Sequence, residues 1–388
     1  MDEAREVIET LAARERGSAS EGERWAAHWI ADRLTDLGCD AAIEEERVRP
    51  DTWRNLIALN AAGALAGLAA ARGGRAIPAL TATATLAAIA DDIQNGLHLA
   101  RRVTVPELPT WNVTAECGDR DARRTVVVLA HHDAAHSGLV FHQGPQKALW
   151  RRRPDVIERS NTAFPIWWPV LAAHALTAAG ALTGRRRLAR AGAILCGVAT
   201  AAFADIASRG VVPGANDNLT AVACLAVLAR RLREEPVAGV RVLLVSAGSE
   251  ETFQEGIRAW GRRHFDSLPR ESTSFVTIDM VGSPELALIE GEGPIRMEDY
   301  DGPLRELVGE CAAAESIGLR RKLRARTSTD GVIPMRAGYP TVLLGSVEAW
   351  KAPSNYHWPT DTPDRVDYGT VAEASRLVEA VVRRLART

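Results

Sequence analysis

Val240-Arg-Val-Leu-Leu-Val-Ser-Ala247-Gly-Ser-Glu250-Glu251 joins an apolar, β-rich run to a turn of small residues and then to two adjacent carboxylates. Such a run predicts a strand buried on both faces, as in the middle of a parallel sheet. Thr125–Ala130, Phe275–Val281 and Thr341–Leu344 read the same way. Helical stretches fall between or after them, at Leu219–Arg233, Leu304–Ser316 and Val371–Leu385. Earlier in the chain, residues 2–14 and 21–38 read as two helices. In the second, Trp25, Trp29, Ile30, Leu34 and Leu37 recur at helical spacing, and Gly38 supplies a stop. Strands alternating with helices predict an α/β fold with a mainly parallel sheet covered on both faces. Ligands on such sheets gather beyond the carboxyl ends of strands. His131-His132-Asp133, Glu250-Glu251 and Asp279 all fall at or near such ends.

The 388 residues suffice for one large α/β domain, or one domain and a smaller piece. A net charge of −2 recommends no nucleic acid as partner. The five cysteines (Cys39, Cys117, Cys196, Cys224, Cys311) are scattered and form no C-x-x-C, so neither a disulfide framework nor a thiolate zinc site is expected. Cys196 and Cys224 lie in apolar runs and read as core residues. The segment from Asp2 to Glu9 is acidic and lacks the layout of a signal peptide. No G-x-S-x-G elbow supports serine-hydrolase chemistry.

Two regions break the α/β pattern. Between Leu56 and Ala90, and again between Ala163 and Ile206, lie paired alanine-rich apolar stretches, separated by Arg72-Gly-Gly-Arg75 and by Arg185-Arg-Arg187. Each region reads as a helical hairpin inserted into the domain. Ala163–Gly184 is the longest stretch and has the length to cross a bilayer; the others are borderline. Pro165, Pro169, His174 and Asp205 weaken the membrane reading, and buried or lid-forming hairpins are the alternative. Four apolar stretches are hard to bury in one soluble domain, which favours a lipid bilayer as partner and a membrane location over a soluble cytoplasmic one. The inserted helices also offer a surface for a homo-oligomer. Each insertion holds an even number of helices, so the flanking pieces return to one side and can assemble together. Arginines at the tips and at the opposite ends leave the orientation open.

Several polar motifs punctuate the frame. In Ala130-His131-His132-Asp133, His131 and Asp133 share one face of an extended chain and His132 points away. A carboxylate beside a ligand histidine fixes its tautomer and raises its basicity. In Pro213-Gly-Ala-Asn-Asp217-Asn218, Asp217 either caps the following helix or offers its two oxygens to two metals. Of Glu250 and Glu251, one can bind metal while the other accepts a proton from water. Asp279, at the end of a buried strand, needs a partner, and a metal is one candidate. His357 precedes Asp361, Asp364 and Asp367, which read as caps of the terminal helix. His136 and His142 read as loop residues. Taken singly, each motif has a plainer reading: a surface pair, a cap, solvated glutamates, a loop histidine.

Together and in this order, the motifs resemble those of M28 family zinc metallopeptidases of the aminopeptidase type. That family runs H-x-D, G-A-x-D-[ND], E-E, an aspartate in an L-D-M-like strand and a late Y-H. This chain has His131-His-Asp133, Gly214-Ala-Asn-Asp217-Asn218, Glu250-Glu251, Ile278-Asp279-Met280 and Tyr356-His357, and Asp361-Thr-Pro-Asp364 resembles the family's D-T-x-D ending. The resemblance implies a three-layer αβα fold with a mixed, mainly parallel central sheet, zinc-exopeptidase-like, carrying the apolar hairpins. It implies two zinc ions, one on His131 and Asp279, the other on Glu251 and His357, with Asp217 bridging. It further implies Glu250 as general base, Asp133 as the group orienting His131, and a cis Asp217–Asn218 peptide. The activity implied is hydrolysis of a peptide substrate by a di-zinc exopeptidase, in particular an aminopeptidase. Two alternatives are a single-zinc glutaminyl-cyclase-like acyltransferase and a non-catalytic membrane-anchored binding protein. The complete ligand set, with His131 and Asp279 retained, argues against both. On this reading 1–55, 105–140 and 211–388 form the peptidase domain, and the hairpins occupy 56–104 and 141–210. The chain departs from the family pattern in the 84 positions from Asp133 to Asp217, most of them taken by the second hairpin.

Overall fold

The computed structural model describes residues 2–162 and 165–387. Helices α1 (Asp2–Ala12) and α2 (Glu21–Asp36) lead into strand β1 (Asp40–Val48). The first insertion follows as α3 (Thr52–Ala71), α4 (Ala76–Ile93) and the short α5 (Leu99–Thr104). Strands β2 (Leu108–Gly118) and β3 (Arg124–His131) precede the second insertion, made of α6 (Gly144–Arg152), α7 (Pro154–Arg159), α8 (Trp168–Thr183) and α9 (Arg186–Ser208). The remainder runs α10 (Thr220–Glu234), β4 (Val240–Ala247), α11 (Glu255–His264), β5 (Thr273–Ile278), β6 (Glu285–Glu292), β7 (Glu298–Asp299), α12 (Gly302–Ala314), β8 (Arg320–Ala325), α13 (Val332–Arg336), β9 (Thr341–Val347) and α14 (Tyr368–Leu385).

These strands form one mixed sheet in the order β1-β2-β4-β3-β5-β9-β6-β7, with β8 paired to β6. Its centre, β4-β3-β5-β9, is parallel. The four strands read from the sequence as buried are these four, and they are almost fully buried. The margins on either side are antiparallel except for β8, which runs parallel to β6. They escape a reading based on apolar runs because one face stays half-wet: β1 is Asp-Ala-Ala-Ile-Glu-Glu-Glu-Arg-Val, with exposure alternating along it. Helices α1, α2, α10 and α14 pack Leu11, Leu34, Leu225 and Leu377 over one face. Trp260 of α11, with Phe275 and Tyr339, closes the other.

The cysteine reading needs one correction. Cys39, just before β1, and Cys117 of β2 form a disulfide. Antiparallel pairing of Asp40 with Glu116 sets the two cysteines opposite each other, a proximity that their 78-residue separation conceals. Cys196 and Cys224 are free and buried.

The two hairpins are not separate appendages. α3 packs on α9, α4 on α8, and the four helices form one bundle. Small residues allow the close crossings: a Cβ on Gly67 would lie 2.7 Å from that of Ala193, and one on Gly192 would lie 2.3 Å from Thr177 Oγ1. His174 is satisfied inside the bundle, with Nδ1 2.8 Å from Thr85 Oγ1 and Nε2 3.2 Å from Asn60 Oδ1. Three of the helices, α3, α4 and α9, are long and apolar enough to cross a membrane. The stretch beginning at Ala163 is a difference from expectation. Ala163 and Phe164 lie outside the described residues, and α8 starts only at Trp168, with Pro169 in its first turn, where proline is favoured. It has 16 residues against 23 in α9.

At the base of the bundle a buried polar network ties the first insertion to α11. Arg101 donates to Asp92 (3.0 Å) and to Thr252 O (2.9 Å), and His98 Nδ1 lies 2.7 Å from Glu255 Oε1. Burial opposes ionisation of Glu255, but His98 and Arg101 outweigh it and hold the carboxyl at about 2. A carboxyl held below its unfolded value of about 4.3 stabilises the fold in full above that value. The contribution is lost as pH falls toward the folded value. Glu255→Gln is therefore expected to flatten the fall in melting temperature between about pH 5 and about pH 3. An unchanged acid limb in thermal unfolding would contradict this coupling.

Candidate metal centre

Six motif residues from five places in the sequence converge at the carboxyl ends of β3, β4 and β5. His131 ends β3, Asp279 directly follows β5, and Glu250 and Glu251 stand on the turn after β4. Asp217 precedes α10, and His357 comes from the loop between β9 and α14. Asp217 Oδ1 lies 3.5 Å from His131 Nε2, while its Oδ2 lies 3.2 Å from His357 Nε2. Asp279 Oδ1 is 3.7 Å from His131 Nε2, and Glu251 Oε2 is 3.3 Å from His357 Nε2. Three compact groups result, each with its donor atoms within 4.8 Å of one another: besides His131–Glu250–Glu251 there are two built on Asp217, namely His131–Asp217–Asp279 and Asp217–Glu251–His357. The latter two share Asp217 and engage a different oxygen of it.

The groups around this cluster hold it in place. The Asp217–Asn218 peptide is cis. Asn218 donates to Ile278 O (3.1 Å) and accepts from Met280 N (2.9 Å), clamping the backbone on both sides of Asp279. Asp133 does more than face His131 Nδ1 at 3.4 Å. Its carboxylate also accepts from Glu250 N (3.0 Å), Glu251 N (3.1 Å) and Ser18 Oγ (2.6 Å), so it fixes the glutamate turn as well. His132 points away, to Ser246 Oγ at 3.0 Å, as strand alternation requires. His136 and His142 stay out of the cluster, the first at Arg209 O and the second against Trp358.

Asp361 is not a cap of the terminal helix. Asp367 fills that role through Gly369 N and Thr370 N. Asp361 instead accepts from Asn216 N (2.8 Å) and Asp217 N (3.1 Å), and burial lifts its carboxyl to about 7. Asp364, by contrast, is exposed. Four further residues carry no sequence motif. Gln254 Nε2 donates to Glu250 Oε1 at 2.6 Å, and Asn95 Nδ2 of the first insertion donates to Gln254 Oε1 at 2.7 Å. Asp330 is buried beside the cluster with both carboxylate oxygens unpartnered. Arg16, fully buried, donates to the carbonyls of Leu11, His132 and Pro213. Burial pulls its guanidinium down to about 10 against the pull of Asp361, Asp133 and Asp217. Arg16→Met strands these carbonyls and is expected to cost about 3 kcal/mol in chemical denaturation. A loss within about 0.5 kcal/mol would show the carbonyls to be satisfied without it.

Electrostatics suit the cluster to a cation. Burial pushes Glu250 and Asp279 above the usual carboxylate range, and Asp330 further raises Glu250. Burial would lower His357, but Glu251 and Asp217 overcome it and push the imidazole up to about 10. Asp217 Oδ2, Glu251 Oε1, Asp279 Oδ1 and His357 Nδ1 are buried without a hydrogen-bond partner. Unpaired buried polar atoms are costly, and a cation relieves the carboxylates among them. Two imidazoles with three carboxylates are a donor set that suits zinc.

The model of peptidase family M28 matches residues 199–382, which include Asp217, Glu250, Glu251, Asp279 and His357. The match covers just under half of the chain and, together with the motif order, marks the chain as similar to this family of hydrolases. No curated protein matches it. Among solved structures it is similar to an aminopeptidase from Aneurinibacillus sp. strain AM-1, at 13% identity and a TM-score of 0.57 over 99% of this chain and 93% of that one. A zinc aminopeptidase from Bacillus subtilis gives 13% and 0.58 over 99% and 94%. A glutaminyl cyclase from Porphyromonas gingivalis gives 13% and 0.57 over 99% and 97%. At these identities the structural likeness establishes a shared mixed α/β fold.

Proposed function

We propose that this chain is a di-zinc aminopeptidase of the M28 type whose inserted bundle sits in a membrane. The observation that carries the catalytic part is the pair of ligand groups sharing Asp217 through separate oxygens. His131 and Asp279 would hold one zinc, Glu251 and His357 the other. Zinc at such sites supplies Lewis acidity that polarises a carbonyl and acidifies water.

The chain's own residues handle the proton. Glu250 Oε1 is occupied by Gln254, which leaves Oε2, 3.9 Å from His131 Nε2, directed at the cluster. Glu250 takes the proton of the attacking water and returns it to the leaving amine. Its burial raises the carboxyl, which favours this return. Asp133 faces His131 Nδ1 and thereby keeps Nε2 free for the metal. Gln254 is the positioning residue for Glu250. Gln254→Ala is expected to lower kcat about 10-fold with zinc content unchanged. Parallel assays of kcat and zinc content check it, and an unaltered kcat would remove Gln254 from the mechanism.

The glutaminyl-cyclase reading is tested on the same protein. With zinc present, purified enzyme is expected to release leucine from Leu-Gly and to leave an N-terminal glutaminyl peptide uncyclised. Pyroglutamyl product without leucine release would reverse the assignment.

The membrane part rests on the outer surface of the bundle. Leu65, Leu68, Ile77, Leu80, Leu182 and Ile194 are exposed there. Charges in the four helices are confined to their ends, with Arg54, Asp91, Asp92 and Asp205 at the base and Arg186, Arg187 and Arg190 near the tip. The uncharged stretch of α3 from 55 to 71 spans about 25 Å at ~1.5 Å per residue. That is close to a bilayer core of ~30 Å, and lipids adjust to small mismatches. The protein should sediment with membranes and resist extraction by alkaline carbonate. Release into the soluble fraction would exclude this placement.

A further inference from the structure

The cluster opens into two adjoining pockets, which share Phe141, Ile166, Thr327 and Tyr356 and differ in the cluster residues they reach. A cavity of about 220 Å³ meets the cluster at Asp279 and Met280 and is lined by Ile289, Leu323 and Leu343 of the sheet. The other, about 140 Å³, meets it at Glu250, Glu251 and His357. Its far wall is built by the base of the inserted bundle: Trp53 at the start of α3, Trp167 beside the start of α8, and Phe203 near the end of α9.

We propose that this second pocket receives the side chain on the leaving side of the scissile bond, so that the peptidase selects peptides with an aromatic or other bulky apolar second residue. The inference rests on the aminopeptidase reading. Its first support is the path of the proton. The group that protonates the leaving amine must face the leaving residue, and Glu250 lines the bundle-side pocket and not the other. The N-terminal residue is thereby assigned to the Asp279 side.

Its second support is the chemistry of the wall. Trp53 and Trp167 each stack on Phe203, with ring centroids 6.1 and 6.0 Å apart, and Phe253 meets Trp167 edge-on at 5.7 Å. The ionisable groups at the mouth of the pocket are Glu250, Glu251 and His357, all part of the cluster. Among the described residues no lysine or arginine lines it to receive a carboxylate, so the occupant is a neutral, apolar side chain. An apolar cavity of roughly 150 Å³ accepts a benzene-sized guest, which matches a phenylalanyl ring. The insertions thus act on specificity. Phe203 and Trp167 come from the second, Trp53 from the first, and the shared M28 motifs include none of them.

The test compares Leu-Phe-amide with Leu-Gly-amide on the full-length, zinc-loaded enzyme in detergent micelles. We expect kcat/KM to favour Leu-Phe-amide by about 30-fold, within the range that apolar pockets achieve. Ala199→Phe, which fills the pocket from α9, is expected to bring the ratio within about threefold of unity. Equal use of the two amides by the wild-type enzyme would overturn this inference and leave the aminopeptidase reading standing. So would a ratio unchanged in the filled variant. Hydrolysis of neither amide would overturn both.

Discussion

Glu250→Gln is expected to lower kcat about 1,000-fold, in the range of general acid–base contributions, while zinc content stays at the wild-type value. The substitution keeps the size of the side chain and its bond from Gln254 but removes the ability to accept the water's proton. The paired readout matters because Glu250 also lies within ligand distance of His131 and Glu251. A ligand role would make activity and zinc fall together. With Oε1 taken by Gln254, only Oε2 faces the cluster, which suits a proton carrier better than a metal clamp. Full activity in Glu250→Gln, or loss of zinc in proportion to activity, would contradict the assignment.

Asp217→Ala carries the other large effect. Its two oxygens face different imidazoles, so one substitution weakens both proposed sites. Bound zinc is expected to drop from about two per chain to below one, and hydrolysis to background. His357→Ala removes a donor from one group only and should retain about one zinc. Thermal unfolding in chelator separates these losses from misfolding. Without a cation, Asp217 lies between the imidazoles of His131 and His357 and favours their protonated forms, so Asp217→Ala should lower the metal-free melting temperature while keeping a single cooperative transition. Two zincs retained in Asp217→Ala would remove it as the bridge.

What the sequence reveals depends on how local each signal is. The buried strands β3, β4, β5 and β9 are continuous apolar runs, and they suffice to place His131, Glu250, Glu251 and Asp279 at one edge. The wet marginal strands are hidden because Glu44, Glu45 and Glu46 interrupt the apolar pattern of β1. The Cys39–Cys117 disulfide is hidden for the same reason, since its register depends on that unrecognised pair. Side chains that work through partners distant in sequence leave no motif at all. Gln254 acquires its task only when Glu250 and Asn95 are folded around it, and Asp361 reads as a cap until the Asn216–Asp217 backbone arrives. The hairpins are evident from composition. That they join into one bundle, whose base forms a wall of the cleft, is decided by small residues such as Gly67 and Gly192 at the crossings.

Anomalous diffraction at the zinc edge tests the central claim most directly. Two zinc peaks are predicted, one against His131 and Asp279, the other against Glu251 and His357, with a different oxygen of Asp217 on each. A single peak, or zinc bound away from Asp217, would contradict the account.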